Sequence, residues 1–294
     1  MTDRMLARFK LLSAMLIFGS IAVFVKNIPL PSAEIALFRA YLAILLIGLV
    51  LVLKKTNPLR GVNKKTLLLL LLSGAAMGFN WILLFEAYHY TTTSIATLCY
   101  YFSPVLVTLL CPFLFHEKMT LKQGVCFACS TLGVVLIVGV SGTGGGNHVK
   151  GILLALGAAV LYATVVLLNK SIRGADGISR TFLQFCAAAL VLTPYVALTG
   201  GFKIASISLT GLWFLLAVGL IHSGLAYCLY FSALPRMNGQ EASLLSYADP
   251  LLAVILSVTL LREPITPWQI VGGVLILGFS LLNEVEFKKK AANQ

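Results

Sequence analysis

Charge is what this 294-residue chain has least of. Only 11% of residues are Asp, Glu, Lys or Arg, ten of them acidic, against about 25% in soluble domains. A surface so poor in charge is not built to face water. Histidine is also scarce, at four residues, and no His/Cys/Asp spacing suits a zinc site. A nucleophile elbow, a paired-carboxylate hydrolase arrangement and a nucleotide-binding loop are likewise missing. The sequence therefore predicts a chain that is not an enzyme, carries no cofactor or metal, and does not hydrolyse nucleotides. The six cysteines all fall inside apolar segments. Cys126-x-x-Cys129 has no companion pair, and on a helix reads as two small apolar side chains sharing a face.

What is abundant is apolar residue, 59% of the chain with mean hydropathy +0.95. A membrane-crossing helix needs about 20 such residues. Segments of that kind lie at roughly 6–26, 33–53, 66–85, 93–115, 121–140, 150–170, 180–199, 208–231, 239–261 and 266–285. No cleavable signal peptide is evident before the first. The fold class this predicts is all-α integral membrane protein with ten transmembrane helices.

The net charge of +12 does not indicate nucleic acid, because the basic residues sit in short loops between apolar segments. With the N-terminus inside, the outer loops hold only Lys26, Lys150, Lys203 and Arg262. Arg39 lies within a span, and the other seventeen Lys and Arg fall inside. The positive-inside rule then places both termini in the cytoplasm of a multi-pass protein of the cytoplasmic membrane. On that topology, the glycosylation acceptor pattern at Asn169 faces the cytoplasm and is unused. Ser141–Asn147, rich in glycine, lacks the strand and Lys-Ser/Thr of a phosphate loop and reads as a flexible join.

The second half repeats the first. At an offset of 146 residues, Phe85, Ala87, Tyr101, Pro104, Glu117, Thr120 and Gln123 meet Phe231, Ala233, Tyr247, Pro250, Glu263, Thr266 and Gln269 without a gap. Gly78-x-Asn80-Trp81 meets Gly224-x-Ala226-Tyr227, and Phe18-Gly19-Ser20 with Lys26 matches Tyr162-Ala163-Thr164 with Lys170. Each half holds five segments. An odd number forces two tandem copies to point opposite ways, so the repeats read as inverted around a central cavity. The expected division is residues 1–142, a linker at 143–149 and residues 150–294.

In these residues the chain resembles the drug/metabolite transporter superfamily, and within it the EamA-type ten-helix family. They are the aromatic-small-small motif and late Lys of each first helix, and the mid-span Pro and closing Glu of each fourth helix. The resemblance covers nearly the whole chain. It implies a secondary transporter with a cavity built from the first, third and fourth helices of each half. It does not fix the substrate, since the family holds exporters of amino acids and metabolites as well as cation importers.

An ionisable residue at mid-span costs about 2.5–3.5 kcal/mol on insertion scales, so each one present calls for a partner or a function. Asp249 lies near the centre of the ninth segment and precedes Pro250; it is a candidate site for a cation or proton. His222 is in the eighth segment. Arg39 is expected to pair with Glu34 or Glu86. Tyr101 and Tyr247 occupy equivalent places beside the prolines, and Trp81, Asn80, Tyr100 and Tyr162 extend the lining. Glu117 and Glu263 read as end-of-helix ion pairs, beside Lys118 and Arg262, able to close opposite gates. Gly74-x-x-x-Gly78 and Gly219-x-x-x-Ser223 read as close-packing motifs.

The leading functional expectation is alternating-access transport of a small polar metabolite, an amino acid by preference, with a proton as candidate coupling ion. Its partners are that solute and membrane lipid. An organic cation such as a choline- or drug-like molecule is the alternative. A membrane-embedded enzyme or lipid-handling protein is the alternative of another class, and no convergent catalytic set supports it.

Overall fold

A computed structural model describes residues 3–115, 119–141, 146–172, 174, 176–237 and 239–284. The described residues are helical, without strands. In chain order the helices are α1 (Asp3–Val25), α2 (Ser32–Leu53), α3 (Lys64–Tyr90), α4 (Thr93–Tyr100), α5 (Ser103–Phe115), α6 (Leu121–Ser141), α7 (Gly146–Ser171), α8 (Gly177–Thr199), α9 (Leu209–Leu216), α10 (Ala226–Ala233), α11 (Gly239–Ser246), α12 (Ala248–Thr259) and α13 (Pro267–Glu284). A π-helical stretch, Ala217–Leu225, joins α9 to α10. Among the described residues, seven helical segments are long and apolar enough to cross a membrane, and Leu121–Ile137, Leu244–Thr259 and Pro267–Asn283 are shorter apolar helices. All ten expected segments are thus helical, and Leu45, Leu121, Val52 and Leu198 stand exposed as lipid contact allows.

Local sequence explains where helices start. Asn63, Thr92, Asp176 and Ser208 each accept the backbone N–H three residues on, the N-cap bond that satisfies an otherwise orphaned donor. Thr120/Gln123 and Thr266/Gln269, matched in the repeat, form the same reciprocal capping box at α6 and α13. Each Gln Oε1 accepts from the Thr N–H at 2.8 Å, and each Thr Oγ1 accepts from the Gln N–H, at 3.2 and 3.3 Å.

Helix α7 begins earlier than expected. The glycine-rich join at 142–145 lies outside the described residues, and the linker assigned through 149 is already helical from Gly146. The reason is tertiary. His148 Nδ1 meets Thr91 Oγ1 at 3.0 Å, and a Cβ at Gly151 would lie 2.8 Å from the Thr91 Cβ, so the end of α3 supports the extra turn.

Two expected spans are broken at matching positions. The fourth is split into α4 and α5 at Tyr101, the ninth into α11 and α12 at Tyr247. The two tyrosines adopt nearly the same backbone, φ −72°, ψ 5° and φ −71°, ψ −7°. Pro104 and Pro250 fall in the first turn of the second half-helix, where a missing N–H is tolerated. Each proline also leaves the carbonyl four residues back, of Tyr100 and Ser246, without its helical donor.

The halves interlock. Helix α1 packs on α10 and α12 of the second half, and α7 packs on α3, α4 and α5 of the first. Helix α2 lies against α8, and α6 against α13. Close crossings depend on glycine. Gly133 and Gly272 each stand so near the other's carbonyl that an added Cβ would lie 2.6 Å from it; at Gly74 the Cβ would lie 2.4 Å from the Gln184 carbonyl. Gly74→Val should therefore force α3 from α8 and cost on the order of 2–3 kcal/mol. Gly278→Ala, with nothing within 4 Å, should be neutral. Thermal unfolding of the purified variants in detergent checks this; equal melting temperatures would refute the close-packing role.

Candidate functional site

The site forms where the two breaks face one another. Asp249 stands in the first turn of α12, at the positive end of the half-helix dipole, which favours a carboxylate. Its Oδ2 accepts a hydrogen bond from the Tyr101 hydroxyl at 2.5 Å. One break thus supplies the acid and the other its donor. No cation among the described residues pairs with it.

Asp249, Tyr100, Tyr101 and Tyr227 are surrounded by protein yet only half-buried by surface area. Each therefore keeps some accessible surface. Tyr100 packs on Tyr101 and on Tyr162, with ring centroids 6.0 and 5.4 Å apart. Tyr247 is buried at its break. Asn80 is buried and donates through Nδ2 to the Ala158 carbonyl at 2.5 Å, joining α3 to α7.

The motif Phe18-Gly19-Ser20 explains how α1 reaches the second half. Phe18 packs edge-on against Tyr227 at 5.1 Å. A Cβ at Gly19 would lie 2.5 Å from the Asp249 carbonyl, so only glycine lets α1 cross at the break. Ser20 Oγ lies 3.1 Å from His222 Nε2, while His222 Nδ1 lies 3.1 Å from the Ala217 carbonyl. His222 is buried against Phe24 and both ring nitrogens are held by protein. Its partners are thus Ser20, Phe24 and the Ala217 carbonyl, and Asp249 is not among them.

Arg39 departs from its expected partners. Neither Glu34 nor Glu86 pairs with it. The Glu34 carboxylate accepts the backbone N–H groups of Lys203 and Ile204 at 2.7–3.0 Å, and Glu86 accepts from Ser32 Oγ at 2.7 Å. Both acids are occupied at the ends of their helices, closer to local donors than to a cation two turns along α2. Arg39 Nε donates instead to Ser223 Oγ at 2.6 Å, and its guanidinium stands over Trp81, 4.3 Å from the ring centroid. Trp81 in turn packs on Phe185, which meets Tyr227 edge-on.

Glu263 also has a different partner. Its sequence neighbour Arg262 turns away at φ 53°, and Glu263 pairs with Lys26 at the end of α1. It further accepts from the Thr93 N–H at 2.7 Å and from Ser257 Oγ. One carboxylate thus ties α1, α4 and α12 at one end of the bundle. At the other end of α1, Arg4 and Arg8 pair with Glu241 at the start of α11. Glu117 and its neighbour Lys118 lie outside the described residues.

Sequence reading passed over Ser223 and Tyr227 as site members. Both had a signal: Tyr227 is the repeat mate of Trp81, and Ser223 closed the Gly219-x-x-x-Ser223 motif. Thr93 and Ser257 carried none, because their partners come from distant parts of the chain.

The model of the EamA-like transporter family matches residues 5–139 and again 149–283. An uncharacterized transporter of Bacillus subtilis (strain 168), YxxF, is 31% identical over 97% of this chain and 91% of its own length. Protein PecM of Dickeya dadantii (strain 3937) is 28% identical over 83% of this chain and 81% of its own. The threonine/homoserine exporter RhtA of Escherichia coli (strain K12) is 28% identical over 49% of each chain. A solved crystal structure superposes with a TM-score of 0.61 at 18% identity, over 96% of this chain and 98% of that one, a likeness of fold.

Charge-assisted hydrogen bonds of the Glu263 kind contribute about 1.5–3 kcal/mol each. Glu263→Gln should therefore loosen that end of the bundle. A cysteine placed at Thr97 should then react with a thiol reagent roughly tenfold faster or more. An unchanged rate would show that Glu263 does not hold the end closed.

Proposed function

The chain belongs to the EamA-like transporter family, and from that premise we propose that it is a secondary active transporter working by alternating access. Its cargo is a small polar metabolite, an amino acid or close relative, and its direction is export across the cytoplasmic membrane. The observation that carries this reading is Asp249, deep in the bundle at a helix break and bonded to Tyr101 of the equivalent break. Discontinuous helices at the junction of two repeats are where transporters hold substrate and coupling ion. The exporter RhtA among the relatives supports the metabolite class. The accessible flank of Asp249 suits a proton or a substrate ammonium group.

The ten apolar helices are read as ten spans in two inverted five-helix repeats, with both termini in the cytoplasm. The reciprocal packing of α1 on α10–α12 and of α7 on α3–α5 supports that pairing. In this topology Lys26, Thr93 and Glu263 close the outer end. The site residues act by position: Tyr100, Tyr101, Tyr162 and Tyr227 line, Trp81, Asn80 and Tyr247 support, and Asp249 carries charge. A second reading, transport of an organic cation, has one observation in its favour. An unpaired carboxylate stands among tyrosine rings, which attract cations.

Asp249→Asn removes the charge and the proton site while keeping shape and the Tyr101 contact. The variant should fold with a near-normal melting temperature and lose pH-driven efflux in proteoliposomes. Wild-type efflux with unchanged pH dependence would refute the role.

Orientation is checked separately with membrane-impermeant thiol reagents. A single cysteine at Asn63 should label only from the cytoplasmic side and one at Ala205 only from outside. Labelling of both from one side would overturn the topology.

A further inference from the structure

Two opposite charges lie inside this bundle without each other. Among the described residues, Asp249 has Tyr101 as its hydrogen-bond partner and no cation. Arg39 is 5% exposed, and among the described residues no carboxylate reaches it. A guanidinium has five N–H donors in a planar fork. Here Nε is used by Ser223, Trp81 covers one face, and Phe85 stands 5.6 Å from the guanidinium carbon. The terminal N–H groups have no protein partner among the described residues, and they are not sealed from accessible space.

The polarity of the Arg39–Ser223 bond is fixed. Ser223 lies in the π-helical stretch, and its hydroxyl donates five residues back to the Val218 carbonyl at 3.0 Å. Its oxygen is then left to accept from Arg39. The widened turn thereby aims Arg39 through Nε and leaves the end of the fork free. Trp81 under Arg39 packs on Phe185, Phe185 on Tyr227 and Tyr227 on Phe18, whose neighbour Gly19 lies against the Asp249 carbonyl, so one connected aromatic wall runs between the two charges. A buried cation without an anion is strongly unfavourable, and the fork geometry that remains matches a carboxylate.

We infer that Arg39, aimed by Ser223 and held over Trp81, is the carboxylate anchor of the transport site, and that the site selects a zwitterionic α-amino acid. The carboxylate of the solute takes the free end of the guanidinium fork, and its ammonium group faces Asp249. The inference rests on the transport reading above and names the substrate class. A simple organic cation fits less well, because the uncompensated charge of Arg39 faces the same aromatic wall and repels it.

The test is a thermal-shift titration of the full chain in detergent. The probes are neutral L-amino acids including L-threonine, the carboxamide and N-acetyl derivative of each, and choline. At least one amino acid should raise the melting temperature by mass action. Its carboxamide and its N-acetyl form should each bind roughly tenfold or more weakly. Arg39→Gln should bring the acid-to-amide ratio close to one while leaving the amine requirement. Arg39→Lys should keep part of the ratio. Should Arg39→Gln not fold, Ser223→Ala keeps the charge and should still lower the ratio several-fold. A merely structural Arg39 would weaken all probes alike. An amide that binds as well as its acid, or a ratio that survives both Arg39→Gln and Ser223→Ala, overturns the anchor and leaves the transport reading standing. Stabilisation by choline alone, or by no amino acid, overturns the anchor and the amino-acid reading together.

Discussion

Inside lipid every backbone N–H and C=O must find its partner within the protein, since each one left bare costs several kcal/mol. The rest of this structure follows from that demand. It is why the described apolar segments are helical and no strand occurs among the described residues. It is also why the helices break only where other helices enclose them. The interruption at Tyr101 is walled by α7 and α12, and the one at Tyr247 by α1, with Gly19 against the Asp249 carbonyl. A break at the lipid-facing surface would expose unpaired carbonyls. The breaks therefore mark the interior, and polar residues collect beside them.

Charge obeys the same economy of partners. Glu34 and Glu86 are met at once by backbone or hydroxyl donors, and Glu263 by Lys26, a backbone N–H and two hydroxyls. These acids sit at helix ends, where donors are plentiful. Arg39 and Asp249 sit deeper, where donors and acceptors are scarce, and each keeps one neutral partner. The division separates acids tied to several donors at helix ends from two deeper charges that each hold a neutral partner. The tie at Glu263 joins α1, α4 and α12 at one end, and Glu241 joins α1 to α11 at the other. Helix α1 is thus tied at both ends to the broken helix of the second half.

Aromatic residues do two jobs. Trp81 holds the Arg39 guanidinium and passes contact through Phe185 to Tyr227 and Phe18, which fixes α1, α3, α8 and α10 relative to one another. Tyr101 bonds Asp249, and Tyr100 and Tyr162 stack beside it with part of their surface accessible. The first chain of contacts is rigid packing; the second is a surface on which a small solute can lie.

Much of this was legible in the sequence because apolar length, loop charge and repeat register are local or periodic properties. The ten helical segments, the 146-residue register and Asp249 beside its proline follow from residue type and spacing alone. Partners are not local. That Arg39 would choose Ser223 and Trp81 over Glu34, that Glu263 would take Lys26 over Arg262, and that Asp249 would meet Tyr101 depends on how helices from opposite halves cross. Those crossings are set by glycine contacts at Gly19, Gly74 and Gly133, which bring side chains more than a hundred residues apart within bonding distance. The sequence by itself determined which segments are helices and which residues are costly in a membrane; only the tertiary structure decided which costs are met inside the protein and which are left open.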